Sequence, residues 1–264
     1  MIAIDVAGSG RETILAVHGG PGTDHRLFRP ELDRLGEFAR VVYFDLPGHG
    51  RSPAPDDFRL ETIAESLEEA RLAAGAERVS VLGSSYGGFL SLAYALAYPQ
   101  RVARLILVDT SSSAGFRARS IAIAHERASE TMLAAFERLW SDALSDDDDF
   151  RANWRTLFPL YFARAAPAEI DAYAARTSYN LATRRAILPT LVEYDVRSRL
   201  ASLRMPALVI VGAHDWITPP EEARELAAAL PNARLVVFES SGHYPFLEEE
   251  ERFARVVEAF LHET

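Results

Sequence analysis

The sequence predicts an α/β protein: a mostly parallel sheet flanked by helices and interrupted by an inserted helical cap. Three observations carry this. Short branched-apolar runs alternate with segments whose apolar residues recur every three to four positions: "TILAVHG", "FRPELDRLGEF", "RVVYFDLPG", "LETIAESLEEARLAAG", "RVSVLGSS", the stretch from Tyr86 to Tyr98, and "ARLILVDTS", as in βα units laid side by side. The alternation stops near Ser112 and resumes after residue 200 with "ALVIVGAHD", "PPEEARELAAAL", "ARLVVFESSGH" and "EEERFARVVEAFLHE". Between the two halves no strand-like run occurs, only Ala, Arg, Glu and aromatic residues at helical spacing, broken by Pro159, Pro167 and Pro189. The expected organisation is a sheet core from residues 1–111 and 200–264 with a helical cap from 112–199.

Each element has a local reason. "GSGRE" near the start reads as a hairpin turn and is too short for a dinucleotide loop. "FRPELDRLGEF" reads as a helix. Val79, Val81 and Leu82 suit a buried strand, and Phe89, Leu90, Leu92, Ala93 and Leu96 mark the helix that follows from Tyr86. The acidic run from Asp146 to Asp149 before Phe150 reads as a solvated loop and helix start, where negative charge meets the positive end of the helix dipole.

Composition narrows the function. With 264 residues, 48% hydrophobic and 25% charged, the chain matches a soluble globular protein with a substantial core. No apolar run approaches the roughly 18 residues of a membrane span, and "MIAIDVAGSGRETI" lacks the basic and apolar regions of a signal peptide, so a cytoplasmic protein without a membrane span is expected. The absence of cysteine excludes disulfides, thiol catalysis and cysteine-ligated metals, and the absence of lysine excludes lysine Schiff-base chemistry. A formal charge of −10 speaks against a nucleic-acid partner. No H-x-x-x-H or H-E-x-x-H spacing occurs, so no metal and no cofactor is implied. The residues leave the oligomeric state open.

In open α/β sheets the chemistry sits beyond the carboxyl ends of the strands. Here those positions hold His18-Gly19-Gly20-Pro21-Gly22, the "DLPGHGRS" turn from Asp45 to Ser52, "GSSYG" around Ser85, His214-Asp215 and His243. Gly83-Ser84-Ser85-Tyr86-Gly87 fits G-x-S-x-G, a sharp strand-to-helix turn that lifts the central serine hydroxyl into the open. A serine nucleophile needs a base, and the base needs an acid to orient it; the three appear in the order Ser85, Asp215, His243.

That order, over essentially the whole chain, resembles the α/β-hydrolase superfamily. Within it "HGGPGTDH", "GSSYGG", "GAHDWITP" and "SGHYPFLEE" are similar to the prolyl iminopeptidase branch. The resemblance implies Ser85 as nucleophile, His243 as base and Asp215 as acid, with the backbone N–H groups of Gly20 and Tyr86 as an oxyanion hole. Asp109, ending "LILVD", is the rival acid; in most members the acid follows the next strand. Ser84 lacks the flanking glycines that single out Ser85. His18 is expected to brace the oxyanion loop, Asp45 and Ser52 to hold their turn, and His25, His125 and His262 to lie at the surface or at helix ends.

The resemblance further implies release of N-terminal proline or a small residue from short peptides, with acidic cap residues binding the free amine. Glu126, Glu137, Glu169 and Glu193 are the candidates, and Trp154 and Tyr161, with Trp140, Phe158, Phe162 and Tyr179, are candidates to line an acyl pocket. Two departures favour a second reading: "DLPGHG" replaces the aminopeptidases' usual "DQRG", and Tyr86 replaces their usual tryptophan. Both point towards a carboxylesterase or lactonase acting on small acyl esters. A non-hydrolytic, ligand-binding or lyase member of the fold is the third reading.

Overall fold

A computed structural model describes residues 2–164 and 166–263. In chain order its regular elements begin with β1 (Ile4–Ala7), β2 (Thr13–Val17), β3 (Arg40–Phe44), α1 (Leu60–Ala73), β4 (Val79–Ser84), α2 (Tyr86–Ala97) and β5 (Val102–Val108). Next come the helices α3 (Phe116–Arg127), α4 (Glu130–Trp140), α5 (Asp147–Leu157), α6 (Pro167–Arg176) and α7 (Leu181–Ile187). The chain then completes β6 (Ala207–Gly212), α8 (Pro220–Ala229), β7 (Ala233–Phe238), α9 (Pro245–Glu248) and α10 (Glu250–His262).

The strands form one sheet in the order β1-β3-β2-β4-β5-β6-β7, with β1 antiparallel to β3 and every other pairing parallel. Successive strand side chains point to opposite faces, so the sheet separates two cores. Ile14, Ala16, Val41, Tyr43, Ile106, Val108, Leu208 and Ile210 pack on one side. Leu15, Val17, Val42, Phe44, Leu105, Leu107, Val209 and Val211 pack on the other. Burial on both faces is why these strands read as continuous apolar runs.

Two sequence expectations are corrected. "GSGRE" is not a hairpin turn, because β2 is paired on both sides by β3 and β4, and β1 crosses to the outer edge of β3. "FRPELDRLGEF" is not an α-helix but two 3-10 segments, His25–Phe28 and Glu31–Glu37. Pro30 is the cause: it forces the preceding residue out of the helical region, and Arg29 sits extended at φ −109, ψ 143.

All described regular elements between β5 and β6 are helical. The two ends of this stretch are clipped together by an antiparallel bridge between Ser113 and Asp195, with Ala114 N–H donating to Tyr194 O at 2.7 Å and Val196 N–H to Ser112 O at 2.9 Å. The acidic run does begin a helix: the Asp146 side chain accepts from Asp149 N–H and caps α5. No helix among the described residues is long and apolar enough to cross a membrane.

Candidate active site

Ser85 joins β4 directly to α2 in a conformation that L-residues avoid, φ 55 and ψ −121. The turn is held from both sides: Ser85 N–H donates to Val108 O at 2.9 Å, and its carbonyl accepts from Thr110 Oγ1 at 2.8 Å. Space closes around it. A Cβ at Gly87 would lie 2.1 Å from Val17 O, and one at Gly83 would meet Gly87 O at 2.4 Å. From residue 79 to 92 every residue is buried except Ser85, which is partly open; Ser84 is enclosed.

His243 follows β7, and its Nδ1 lies 2.9 Å from Asp215 Oδ1 beyond β6. The contact is short but bent away from the in-plane N–H direction of the ring, a looseness common in unliganded hydrolytic sites. Asp215 is buried, yet its carboxyl is held below the usual range: burial pushes it up, and the imidazole, Thr218 Oγ1 at 2.8 Å and Ile217 N–H at 2.8 Å outweigh that. Asp109, beyond β5, goes the other way. Burial, followed by the neighbouring Asp215 charge, raises it well above the carboxylate range. Its Oδ1 accepts from Gly212 N–H at 2.8 Å, and its Oδ2 has no partner among the described residues.

Gly20 and Tyr86 both line the cavity that contains Ser85 and His243. As the first residue of α2, Tyr86 has an N–H with no intrahelical acceptor. Gly20 adopts φ +129, a region closed to most side chains. His18 braces this loop: its Nδ1 donates to Gly19 O at 2.8 Å and its Nε2 accepts from Leu46 N–H at 3.1 Å. Both nitrogens are thereby committed to a neutral ring, in keeping with a pKa lowered by burial.

The "DLPGHGRS" turn is held as expected, with Ser52 Oγ donating to Asp45 O at 2.7 Å and Arg51 N–H to Asp45 Oδ2 at 3.0 Å. His25 stands at a helix end, the first residue of its 3-10 segment, but is buried rather than superficial, its Nδ1 2.6 Å from Asp45 Oδ1, because that segment packs its ring inward.

The cavity encloses about 100 Å³ and its walls are chiefly aromatic, Trp154, Tyr161, Phe150 and Trp216 among them. Trp154 and Tyr161, candidates from the sequence, thus line the cavity. The acidic candidates do not. Glu126, Glu137, Glu169 and Glu193 are exposed and absent from the cavity wall. The cap helices turn their apolar stripe inward and these carboxylates outward: α4 buries Ala135, Phe136 and Leu139 while Glu137 faces solvent, and Glu169 instead accepts from Ala166 N–H at 2.8 Å. Glu193 borders a separate groove with Arg59 and Arg199. No carboxylate lines the cavity among the described residues.

Three residues that sequence reasoning missed shape the site. Arg117 and Arg184 line the cavity. A signal existed: Arg184 is three residues from Leu181 and three from Ile187, and Arg117 is three from Ser120 and seven from Ala124, so each lies on its helix's buried face. Glu248 is the third. Its Oε2 accepts from Gly242 N–H at 2.6 Å and its Oε1 from Ala163 N–H at 2.7 Å, so one half-buried carboxyl ties the His243 loop to the cap.

A family model described as alpha/beta hydrolase fold matches residues 12–250, and the chain belongs to that family. It is similar to proline iminopeptidase PfmaB of Pestalotiopsis fici, at 29% identity over 94% of this chain and 91% of that protein. The proline iminopeptidase of Saccharolobus solfataricus is 28% identical over 97% of this chain and 86% of its own length. Among solved structures, a thermophilic esterase from Thermogutta terrifontis superposes with a TM-score of 0.73 at 26% identity, covering 98% of this chain and 92% of the esterase. The chain is a hydrolase of the α/β fold.

Proposed function

We propose that the protein is a serine hydrolase that cleaves esters or lactones of small acyl groups through an acyl-enzyme. The observation that carries the serine chemistry is one cavity holding the strained, partly open Ser85 and the imidazole of His243, with Asp215 2.9 Å behind that ring. In this mechanism Ser85 Oγ attacks the acyl carbon while His243 Nε2 takes its proton. The developing oxyanion is met by the N–H groups of Gly20 and Tyr86 at the positive end of α2. Collapse breaks the acyl C–O bond, and His243 returns the proton to the leaving oxygen. Water then adds to the acyl-enzyme, loses a proton to His243, and releases the acid as Ser85 Oγ is reprotonated. Asp215 holds the ring and stabilises its cationic form. No cofactor takes part.

The preference for an ester over a peptide rests on the cavity wall. A free amine needs an anionic partner, and the lining residues supply arginines and aromatic rings but no carboxylate. Similarity to two proline iminopeptidases supports the second reading, release of an N-terminal residue from a short peptide. The test is a rate panel on 4-nitrophenyl butyrate, a small lactone and proline-β-naphthylamide, each with Ser85→Ala as control. Ester or lactone turnover that Ser85→Ala abolishes, with the naphthylamide inert, is expected. Proline release at a higher kcat/KM than ester cleavage would overturn the preference.

A further inference from the structure

Arg117 and Arg184 reach the same cavity wall from different cap helices, α3 and α7. Neither has a carboxylate partner among the described residues. This is unusual in a chain whose arginines are largely paired: the neighbours Arg119 and Arg185 reach Glu222 and Asp142 respectively. Arg184 is 5% exposed; its Nη2 donates to Leu139 O at 3.1 Å and its guanidinium lies 5.6 Å from the Phe150 ring centre. Arg117 is half-buried, and its side chain has no hydrogen-bond acceptor among the described residues. Burial lowers the pKa of both guanidinium groups, and at Arg184 the nearby Arg117 charge adds to that effect.

Two desolvated cations facing one space cost free energy unless something anionic enters it. A guanidinium presents a planar fork of donors that matches a carboxylate, and it keeps its charge at any working pH. Two further wall residues carry free donors, for the indole N–H groups of Trp154 and Trp216 have no acceptor among the described residues.

We infer that Arg117 and Arg184 form a carboxylate subsite, so that the preferred substrate is an ester or lactone whose acyl part carries a second, free carboxylate. This rests on the serine-hydrolase reading for the turnover step but not for binding. The acyl chain runs from Ser85 along the aromatic wall and ends at the guanidinium pair. The size of the cavity, about 100 Å³, suits a chain of a few methylene groups.

The experiment compares monoethyl glutarate with ethyl pentanoate, two stable esters with the same five-carbon acyl chain, by proton release in wild type and in Arg117→Met. Arg117 is half-buried, so its replacement is compatible with folding. Wild type is expected to favour the glutarate ester at least tenfold in kcat/KM, and Arg117→Met to lower that ratio at least tenfold, mainly through KM. A wild-type preference for ethyl pentanoate, or a ratio unmoved by Arg117→Met, would overturn the subsite and leave the hydrolase reading standing. Should neither ester turn over and Ser85 resist fluorophosphonate labelling, the hydrolase reading fails, and calorimetric titration with glutarate decides the subsite alone. Binding weakened by Arg117→Met supports it; no binding, or binding unchanged in the variant, sinks it.

Discussion

Asp109 and Asp215 present their carboxyl groups to the same imidazole: one oxygen from each and one ring nitrogen of His243 all lie within 4.8 Å of one another. Two carboxylates so close and so buried do not both carry charge. Two hydrogen-bond donors and the His243 ring at 2.9 Å meet Asp215, whereas Asp109 has one donor and an unpartnered oxygen. The proton therefore resides on Asp109 and the charge on Asp215. Asp215→Asn is expected to lower kcat on the order of 10,000-fold by losing the imidazolium's counter-charge and its tautomer. Asp109→Asn, which mimics a protonated carboxyl, is expected to stay within about tenfold of wild type, since it removes only a neutral neighbour. Ester kinetics on the two variants check this; a larger loss in Asp109→Asn than in Asp215→Asn would transfer the acid role to Asp109.

Glu248 serves the site without touching its chemistry. It accepts from the backbone of Gly242, beside His243, and from Ala163 and Arg164 in the cap. His243 N–H in turn donates to Tyr161 O at 2.6 Å, so loop and cap are stitched twice. Removing the carboxyl strands the N–H of buried Gly242 at about 1–3 kcal/mol, and leaves the more open Ala163 and Arg164 N–H groups to water. Glu248→Ala is expected to lower both the melting temperature and kcat. Glu248→Gln, which exchanges one acceptor oxygen for a donor, should recover only part of either, as thermal melts and ester kinetics would report.

How much of this was legible differs by element. The parallel strands announced themselves because burial on both faces demands unbroken apolar runs, and the residues beyond their carboxyl ends, Ser85, Asp215 and His243, followed from topology. The edge was less readable: β1 alternates and pairs antiparallel, and nothing local to "GSGRE" encodes that its strand skips past β2. Cap residues were hardest. Whether Glu126 or Arg184 faces the cavity depends on the rotation of short helices packed by aromatic contacts, and residue type misleads, since a buried, unpaired arginine is rare. Helical periodicity held the answer for Arg184, which shares a face with Leu181 and Ile187.

Acid should destabilise the fold before it protonates the carboxylates. His49 is fully buried, its Nδ1 donating to Pro47 O at 2.9 Å, and burial, with His18 beside it, pushes its pKa from 6.5 down to about 3. His18 is lowered by burial too. A depressed histidine is neutral in the folded state and takes up a proton on unfolding, so its contribution is complete above about pH 6.5 and is lost as pH falls below it. Each such group costs up to about 1.4 kcal/mol per pH unit in that window. Urea unfolding at pH 7, 6 and 5 should show the fall, and His49→Asn, which keeps a donor for Pro47 O, should flatten it. An unchanged slope in the variant would refute the assignment.

The close approach of α2 to the loop after β2 makes one glycine indispensable. A Cβ at Gly87 would lie 2.1 Å from Val17 O and 2.7 Å from His18 O, both backbone atoms that cannot move without shifting β2 and the loop. Gly87→Ala is therefore expected to cost at least about 3 kcal/mol, the upper range for overpacking, or to prevent folding. Gly75→Ala is the control, with φ +65 but nothing within 4 Å, so only the left-handed backbone is penalised, at about 1 kcal/mol. Chemical denaturation distinguishes them; equal costs would mean that α2 can retreat from the loop.

Ser85 itself stores strain, and its removal should separate stability from activity. At φ 55 and ψ −121 the residue occupies a region that costs a residue with a Cβ about 1–3 kcal/mol, and it persists because Val108 O, Thr110 Oγ1 and the start of α2 fix the backbone on either side. Glycine adopts the same angles without that penalty, while its greater freedom in the unfolded chain costs about 0.5–1 kcal/mol. Ser85→Gly is therefore expected to abolish ester turnover and fluorophosphonate labelling while raising stability by about 1 kcal/mol in urea unfolding. Ser85→Ala keeps the Cβ and the strain, so it should lose activity without that gain. If the two variants unfold at the same urea concentration, the turn is relaxed in solution, and the exposure of the Ser85 hydroxyl would owe nothing to backbone strain.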